Sequence, residues 1–419
     1  MSTALTSSRP TPANAREAQA QSRGLLSGSG ASERPDYRFD IEGLRGVAVL
    51  SLLAVHLFPQ WAQAGFIGVD IFFVISGFLL TRSLLKAHDA GSLSIGGFYA
   101  ARLRRIVPAL GTVLVLTLVF SVLFTYPSAA REIAASVVNG SLFISNIVLW
   151  QDALQLSRPI DMGPLAHLWW LAVEAQFCVV WPVVVALVLR HRRWKLEVIA
   201  ALVVLSFALN VLLAASTASP HLLLPFTRVW EPMLGGLLAL VMHDSGKQRW
   251  AAALSSQRAS DTLGYAGVVL LAAAVLLTDR ATHLPASWAL LITMGTLALL
   301  AAGPLAWVNR VVLSNSVLRF YGAISFPLYL WHWPLLCFPA VLGIPMSQEL
   351  RVIILTASVV LASLTHELVD RRAQKGAHQR GLPLSALAWL AALALCGWYV
   401  VTTDGLMASF PQDMQRAPF

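Results

Sequence analysis

The sequence is poor in charge: charged residues make up 12% of its 419 residues, whereas 57% are hydrophobic. Its mean hydropathy is +0.67. A soluble domain carries about 25% charged residues, so this scarcity excludes an ordinary soluble protein. The apolar residues fall in long runs that follow one another along the chain, which is typical of polytopic helical membrane proteins. We therefore predict an all-α fold that crosses a lipid bilayer many times.

Acidic residues and cysteines are also scarce. The chain holds 21 acidic and 30 basic residues, a formal net charge of +9. The basic residues lie in short loops between apolar runs, so they indicate membrane orientation and no nucleic-acid partner. The three cysteines lie in apolar segments without CxxC spacing, which argues against a disulfide framework and a metal site. They are Cys178, Cys337 and Cys396.

Eleven segments are apolar and long enough for transmembrane helices. They are 42–59, 66–86, 107–126, 167–189, 196–215, 222–242, 262–278, 286–303, 322–342, 351–369 and 384–402. With all eleven crossing, most loop lysines and arginines share a side with the N-terminus, which predicts that the N-terminus is cytoplasmic. The segment 133–150 is also apolar, but counting it as a span would invert every later loop. We predict that it is a re-entrant or surface segment on the outer face.

The first 37 residues are rich in Ser, Ala, Gly, Gln and Arg and contain no apolar core of a signal peptide. We predict a disordered cytoplasmic tail there. The chain shows no internal repeat, which weakens any interpretation as a transporter built on inverted repeats.

Arg45 and His56 lie on one stripe of the first predicted helix, about 16 Å apart along its axis. Polar groups in a membrane helix should face a protein interior or a wet cavity. An imidazole is the usual side chain for taking a proton from a hydroxyl near neutral pH. His56 is thus a candidate catalytic group, and the alternative is a structural histidine.

Three intramembrane carboxylates are further candidates, because each needs a partner in such apolar helices. Asp70 shares the second predicted helix with Ser76, and its structural alternative is a buried pair with Arg45 or a later arginine. Glu174 lies two helical turns after His167, on the same stripe. The third, Glu231, follows an arginine at i, i+3 spacing, for which the structural interpretation, a salt bridge, is favoured. That arginine is Arg228.

Two arginines on the predicted cytoplasmic side, Arg102 and Arg105, are spaced i, i+3 and point from one face. We expect them on a short amphipathic helix that ends at Pro108. Guanidinium pairs hold phosphates bidentately, which suits a nucleotide-bearing donor. The alternative is anchoring on lipid headgroups.

Tyr329, His332 and Trp333 lie in the stretch S-F-P-L-Y-L-W-H-W-P. Together with His167 they are candidate substrate-binding residues, and the alternative is an aromatic belt at the membrane interface. None of the candidate groups forms a recognisable Ser-His-Asp order, Walker loop or metal-ligand set.

Six stretches in this order resemble the membrane-bound acyltransferase family 3, bacterial enzymes that O-acylate cell-surface sugars. They are E-G-L-R-G-V-A-V, G-F-I-G-V-D-I-F-F-V-I-S-G-F, R-L-R-R-I-V-P, H-L-W-W-L-A-V-E-A-Q-F, R-V-W-E-P-M-L-G-G and S-F-P-L-Y-L-W-H-W-P. The resemblance covers about residues 38–402. It departs from the family pattern at Trp169-Trp170-Leu171 (usually W-S-L), at Ala175 (usually a second acid) and at Asp370-Arg371-Arg372 (usually E-R-P).

The resemblance implies an inner-membrane enzyme with a periplasmic C-terminus. It would take an acyl group, commonly acetyl, from cytoplasmic acyl-coenzyme A and place it on a glycan hydroxyl outside, with a polyprenyl-linked or surface polysaccharide as acceptor. His56 and Arg45 would be the essential pair, with His56 acting as general base or as acyl carrier. Glu174 would be a key carboxylate, and the cytoplasmic arginine pair would belong to the donor side. We predict that Glu174, alone or with Asp70, orients or charge-balances the imidazole.

The resemblance also implies a division of the chain. We expect the tail at 1–37, a ten-helix acyltransferase core at 38–370, a cytoplasmic loop and an additional helix at 371–403, and a short periplasmic tail at 404–419. Many relatives continue into an SGNH-type esterase-like domain, and we expect its role here to be dispensable or supplied by a separate periplasmic partner.

Two rival functions explain some of the same features. A carrier that moves a polyprenyl-linked sugar or an acyl group without making bonds would also need intramembrane charges. A membrane scaffold for a separate esterase-like protein is the third interpretation.

Overall fold

The computed structural model describes residues 37–60, 67–155, 163–190, 195–214, 221–244, 256–277, 286–375 and 383–406. All regular structure within these ranges is helical, which confirms the all-α prediction. The described residues from Phe39 onward form one compact unit. The predicted tail at 1–37 and most of the predicted tail at 404–419 lie outside the described residues.

Sixteen α-helices make up most of the described residues. The first eight are α1 Phe39–Leu57, α2 Ile67–Asp89, α3 Ile95–Phe124, α4 Pro127–Ser141, α5 Ser145–Gln155, α6 Leu168–Arg190, α7 Lys195–Ala214 and α8 Pro225–Arg228. The others are α9 Trp230–Asp244, α10 Gln257–Leu277, α11 Ala286–Ala302, α12 Ser316–Ala323, α13 Ser325–Val341, α14 Gln348–Thr365, α15 Arg371–Lys375 and α16 Leu384–Thr402. A 3₁₀ turn at His221–Leu223 and π-helical turns at Val308–Leu313 and His366–Asp370 join some of them.

Seven helices in the described part of the chain are long and apolar enough to cross a membrane. The number rises to eight if α12 and α13, which meet at a 69° bend, count as one span. This identifies a polytopic membrane protein, while the count of eleven spans stays a prediction. The other three predicted spans correspond to α1, with Asp40, Glu42 and Arg45 in its first two turns, and to α9 and α11, with 15 and 17 residues.

The segment predicted not to span, 133–150, lies on the two short helices α4 and α5. Phe143, with φ of 54°, lies in the turn between them. Helices of 15 and 11 residues reach about 22 and 16 Å, less than the ~30 Å of a hydrocarbon core. Neither can cross alone, in agreement with the sequence interpretation, and the side of the membrane stays a prediction.

The helix α3 corrects one expectation, because it does not end at Pro108. The proline lies inside a continuous helix of 30 residues, and the Thr112 hydroxyl donates to its carbonyl at 2.8 Å. A proline removes one backbone hydrogen bond, but ending the helix inside an apolar segment would leave several backbone groups unsatisfied. The two predicted donor-side arginines therefore lie in the third and fourth turns of a continuous membrane helix.

Close helix crossings position the elements that carry the site. At the crossing of α2 and α9, a Cβ on Gly77 would lie 1.8 Å from the Pro232 carbonyl oxygen. At the crossing of α1 and α12, a Cβ on Gly322 would lie 1.8 Å from the Glu42 carbonyl oxygen. Backbones can approach this closely only where a side chain is missing, which is the usual role of small residues between membrane helices.

Candidate functional site

Five helices, α1, α2, α3, α6 and α13, surround a cavity of about 60 Å³, which opens into a wider space of about 660 Å³ that includes solvent at its mouth. Aromatic and aliphatic side chains form part of its wall. The polar side chains of the wall come from all five helices and are Arg45, Ser76, Arg102, Arg105, Glu174, Ser325 and Tyr329. Five of these seven are residues that the sequence singles out for the site, drawn from segments far apart in the chain.

Arg45 is held at the wall of this cavity by α13. Its Nη2 donates to the Ser325 hydroxyl at 2.8 Å, and that hydroxyl donates in turn to the Gly322 carbonyl at 2.8 Å. The serine is thus oriented by the backbone at the bend between α12 and α13. The guanidinium is a fixed positive group at the cavity wall.

Glu174 faces the same cavity and accepts a hydrogen bond from the Ser76 hydroxyl at 2.5 Å. It is the one acidic side chain among the described residues that line the cavity, where three arginines are present. The wall therefore carries two positive charges in excess. Such a cavity favours an anion.

Arg102 and Arg105 lie at one edge of the apolar part of α3. The 19 residues after Arg105 contain no charged side chain and cover about 28 Å, close to the thickness of a hydrocarbon core. A helix of this apolar length that crosses a bilayer would place the two arginines near one of its surfaces. The Arg102 guanidinium also lies 5.7 Å from the centre of the Phe98 ring, which limits its freedom.

The other end of the α1 stripe meets a cluster of imidazole and indole rings. The His56 Nδ1 lies 3.1 Å from the His332 Nε2, and the two rings stack at 5.3 Å between centres with 12° between their planes. The Trp333 ring meets His56 edge-on at 4.6 Å. The Nδ1 of His332 lies 2.6 Å from the Tyr329 carbonyl oxygen, within its own helix.

Tyr329 links this ring cluster to the cavity. It lines the cavity, its hydroxyl donates to the His167 carbonyl, and its ring lies 5.0 Å from the rings of both His167 and Trp170. Neither ring nitrogen of His167 nor the Trp170 indole nitrogen forms a hydrogen bond of standard geometry with the described residues, although these nitrogens are buried. Buried polar groups without partners are costly, so these nitrogens are suited to a substrate.

Asp70 lies elsewhere, in a buried cluster of three ionisable side chains. Its carboxylate is 2.5 Å from the Arg228 Nη2, and the Arg228 Nη1 is 3.1 Å from the Glu231 carboxylate. The three side chains are 10%, 8% and 0% exposed, and the guanidinium lies 5.5 Å from the Phe73 ring centre. This is the structural pair with a later arginine that the sequence left open for Asp70.

The structure shows no direct contact through which Glu174 or Asp70 would orient the imidazole, and charge balance by these carboxylates stays a prediction. Neither carboxylate forms a hydrogen bond with His56 among the described residues, and His332 contacts that ring instead. Glu174 lies seven residues beyond His167, about 10 Å further along the helix and next to the arginines. His332 was predicted as a substrate contact, and its pairing with His56 was missed because helical spacing within one segment carries no information on it.

The described residues include no group of three or more His, Cys, Asp or Glu side chains placed to hold a metal ion. The groups available for chemistry are therefore the arginine-lined cavity, the imidazole cluster and the tyrosine that joins them. An anionic ligand fits the first, and proton transfer or nucleophilic attack fits the second.

Comparisons with known proteins identify the family of the chain. Residues 38–367 match a family model described as an acyltransferase domain, Acyl_transf_3. Peptidoglycan O-acetyltransferase OatA of Listeria monocytogenes is 28% identical over 352 residues, which cover 80% of this chain and 55% of OatA. The Bacillus subtilis protein named "Putative peptidoglycan O-acetyltransferase YrhL" is 31% identical over 355 residues, 79% of this chain and 54% of YrhL.

A Staphylococcus aureus protein named "Putative O-acetyltransferase SAS0844" is 30% identical over 312 residues, 72% of this chain and 51% of that protein. The chain thus spans about half the length of the curated relatives that it matches. No solved structure matches it.

Proposed function

Because the chain belongs to the membrane-bound acyltransferase family 3, we propose that it is an O-acyltransferase that moves an acetyl group from cytoplasmic acyl-coenzyme A to a glycan hydroxyl outside the membrane. The relatives named as O-acetyltransferases support the reaction type. The positive cavity supports the choice of donor, and the imidazole cluster supports the proposed chemistry.

The donor phosphates would bind at Arg102 and Arg105, with Arg45 deeper in the same cavity. These three guanidiniums meet one carboxylate, Glu174, which already accepts a hydrogen bond from a serine. Guanidiniums bind phosphates through paired, charge-assisted hydrogen bonds. Arg45 either completes this phosphate site or polarises the thioester carbonyl.

The acyl arm of the donor would then follow the α1 stripe from Arg45 to His56, a distance of about 16 Å. Tyr329 and Trp170 line the cavity at its start, and Tyr329 also contacts the ring cluster at its end. A long, thin pantetheine arm suits such a path. The thioester carbonyl would reach the imidazole while the nucleotide stays at the membrane surface.

His56 would act as general base on the acceptor hydroxyl or as a transient acyl carrier. The acceptor, a surface or polyprenyl-linked glycan, would approach from the side of His167 and Trp333. The ring nitrogens of His167, which form no hydrogen bond of standard geometry with the described residues, are suited to hydrogen bonds with sugar hydroxyls, and the indole offers an apolar face. With the donor site on the cytoplasmic side and the acceptor outside, the protein would lie in the inner membrane with a cytoplasmic N-terminus.

The first test is mass spectrometry of surface glycan from cells with the wild-type gene, the His56→Ala variant or no gene. General base catalysis typically contributes about 10²–10⁴ in rate, so acetylated glycan should appear with wild type and fall to the level of the null strain in the variant. His243→Ala, which changes a histidine paired with Asp89 away from the site, is the control and should acetylate normally. Equal acetylation in all strains would contradict the proposed enzymatic function and favour the interpretation as a carrier.

A second test measures acetyl-coenzyme A binding to the purified protein in nanodiscs. Hydrogen bonds to charged groups contribute about 1.5–3 kcal/mol each, so Arg102→Gln with Arg105→Gln should weaken binding at least ~100-fold. Arg104→Gln is the matched control, because this residue lies on the same turns of α3 but does not line the cavity. An equal loss of affinity in the control would show that the arginines attract the donor only through their general charge. Unchanged affinity in the double variant would exclude this donor site.

A further inference from the structure

The hydrogen bonds around His332 fix where its protons lie. Its Nδ1 lies 2.6 Å from the Tyr329 carbonyl oxygen, and a carbonyl oxygen can only accept. Nδ1 therefore carries a hydrogen. In a neutral imidazole only one ring nitrogen is protonated, so the Nε2 of His332 has a free electron pair and accepts.

This acceptor determines the tautomer of His56. The His56 Nδ1 lies 3.1 Å from the His332 Nε2, so it must be the donor of that bond. A neutral His56 with its hydrogen on Nδ1 has its electron pair on Nε2. The alternative, a charged His332 that donates from both nitrogens, would bury a cation at a fully buried site beside two other imidazoles, which is costly.

We propose that His332 is a positioning residue: it holds His56 in the Nδ1–H tautomer, with the reactive electron pair on Nε2. The ring stacking between the two histidines and the edge-on Trp333 would restrict rotation of the His56 ring. The role differs from the substrate contact predicted for His332 from the sequence. It rests on the proposed function only for its consequence in catalysis.

The consequence is a complete proton path for acyl transfer from a thioester donor. The His56 Nε2 takes the proton of the acceptor hydroxyl as the hydroxyl oxygen bonds to the acyl carbon. The carbon–sulfur bond then breaks, and Nε2 returns the proton to the departing thiolate. Throughout, the Nδ1–H bond to His332 would stabilise the transient imidazolium of His56. An acyl carrier mechanism needs the same electron pair on Nε2 for its attack on the thioester.

Nitrogen-15 NMR of the histidine-labelled protein in nanodiscs tests the tautomer without any activity measurement. The chain has ten histidines, so the His56 signals are identified by their loss in His56→Asn. We expect the Nδ1–H tautomer in wild type and in His332→Gln, whose amide oxygen can still accept. His332→Phe keeps a ring of similar size but no acceptor, and its His56 should shift toward the Nε2–H form. A wild-type Nε2–H tautomer, or an unchanged Nδ1–H signal in His332→Phe, would overturn the proposal.

Kinetics with acetyl-coenzyme A test the consequence. Loss of an outer hydrogen-bond partner typically costs 10–100-fold at metal-bound histidines, and about 10⁴-fold in a catalytic triad whose histidine adopts the wrong tautomer. His332→Phe should therefore lower kcat at least ~10-fold with little change in donor KM, and His332→Gln should recover most of the loss. Equal loss in both variants, with folding intact by size-exclusion chromatography, would contradict the positioning role. An inactive wild type with the expected tautomer would instead refute the proposed function alone.

Discussion

Removal of Arg228 should lower the free energy of unfolding far more than neutralisation of Asp70 does. The buried cluster holds one cation between two carboxylates, Asp70 and Glu231, and all three side chains are at most 10% exposed. Arg228→Met leaves two carboxylates without a cation in an apolar interior. Asp70→Asn leaves a neutral pair of Arg228 and Glu231, and its amide oxygen can still accept the guanidinium hydrogen bond.

The magnitudes follow from these partners. Breaking a buried ion pair by removing one member costs about 3–5 kcal/mol, because the remaining charge stays buried. Arg228→Met also loses the contact with the Phe73 ring, worth about 0.5–2 kcal/mol. Replacing a charged by a neutral acceptor in Asp70→Asn should cost on the order of 1 kcal/mol. The free energies of unfolding of the two variants should thus differ by at least about 2 kcal/mol.

Thermal unfolding in detergent, followed by the fluorescence of the chain's 14 tryptophans, measures this difference. Arg228→Met should show a clearly lower midpoint than Asp70→Asn, and the latter should stay close to wild type. Asp70→Asn should also keep most of its acetyltransfer activity, because Asp70 forms no hydrogen bond with His56 in the described structure. Equal midpoints would refute the charge argument. A stable but inactive Asp70→Asn variant would show that Asp70 contributes to catalysis.

Two further variants test the packing and the cavity. Gly77→Ala places a Cβ 1.8 Å from the Pro232 carbonyl oxygen and should lower the free energy of unfolding by about 1–3 kcal/mol. The control Gly96→Ala, whose Cβ would have nothing within 4 Å, should be neutral or slightly stabilising. Equal midpoints of thermal unfolding in the two variants would contradict the close crossing. Ser76→Ala frees Glu174 to pair with the cavity arginines and should raise the Kd of acetyl-coenzyme A several-fold, and an unchanged Kd would show that the serine does not restrain the carboxylate.

The features predicted well from the sequence are those that depend on one helix. Arg45 and His56 were placed on one stripe by helical periodicity alone, and the structure puts them at the cavity wall and in the ring cluster. The apolar runs likewise marked the long helices, because a membrane helix satisfies its backbone within one segment. The helix α3 shows the limit of local rules, since a proline normally ends a helix and Pro108 does not.

The features that escaped prediction depend on contacts between distant segments. His56 and His332 are 276 residues apart in the chain, and Asp70 and Arg228 are 158 apart. Spacing within a segment shows that each group needs a partner but leaves several partners open. Which partner each group contacts is determined by the helix crossings, where glycines such as Gly77 allow particular helical turns to approach closely.

The use of an imidazole in place of a carboxylate beside His56 has a physical reason in this environment. A carboxylate partner would have to be buried among aromatic rings without a cation, at a cost of several kcal/mol. The two carboxylates that the sequence suggests for this role are each held by other groups, Asp70 by a guanidinium and Glu174 by a serine beside the arginines. A neutral His332 can fix the tautomer of His56 without a buried charge. The arginine charges then stay at the donor end of the α1 stripe, where they attract phosphates, and the reacting ring stays in a neutral, apolar setting.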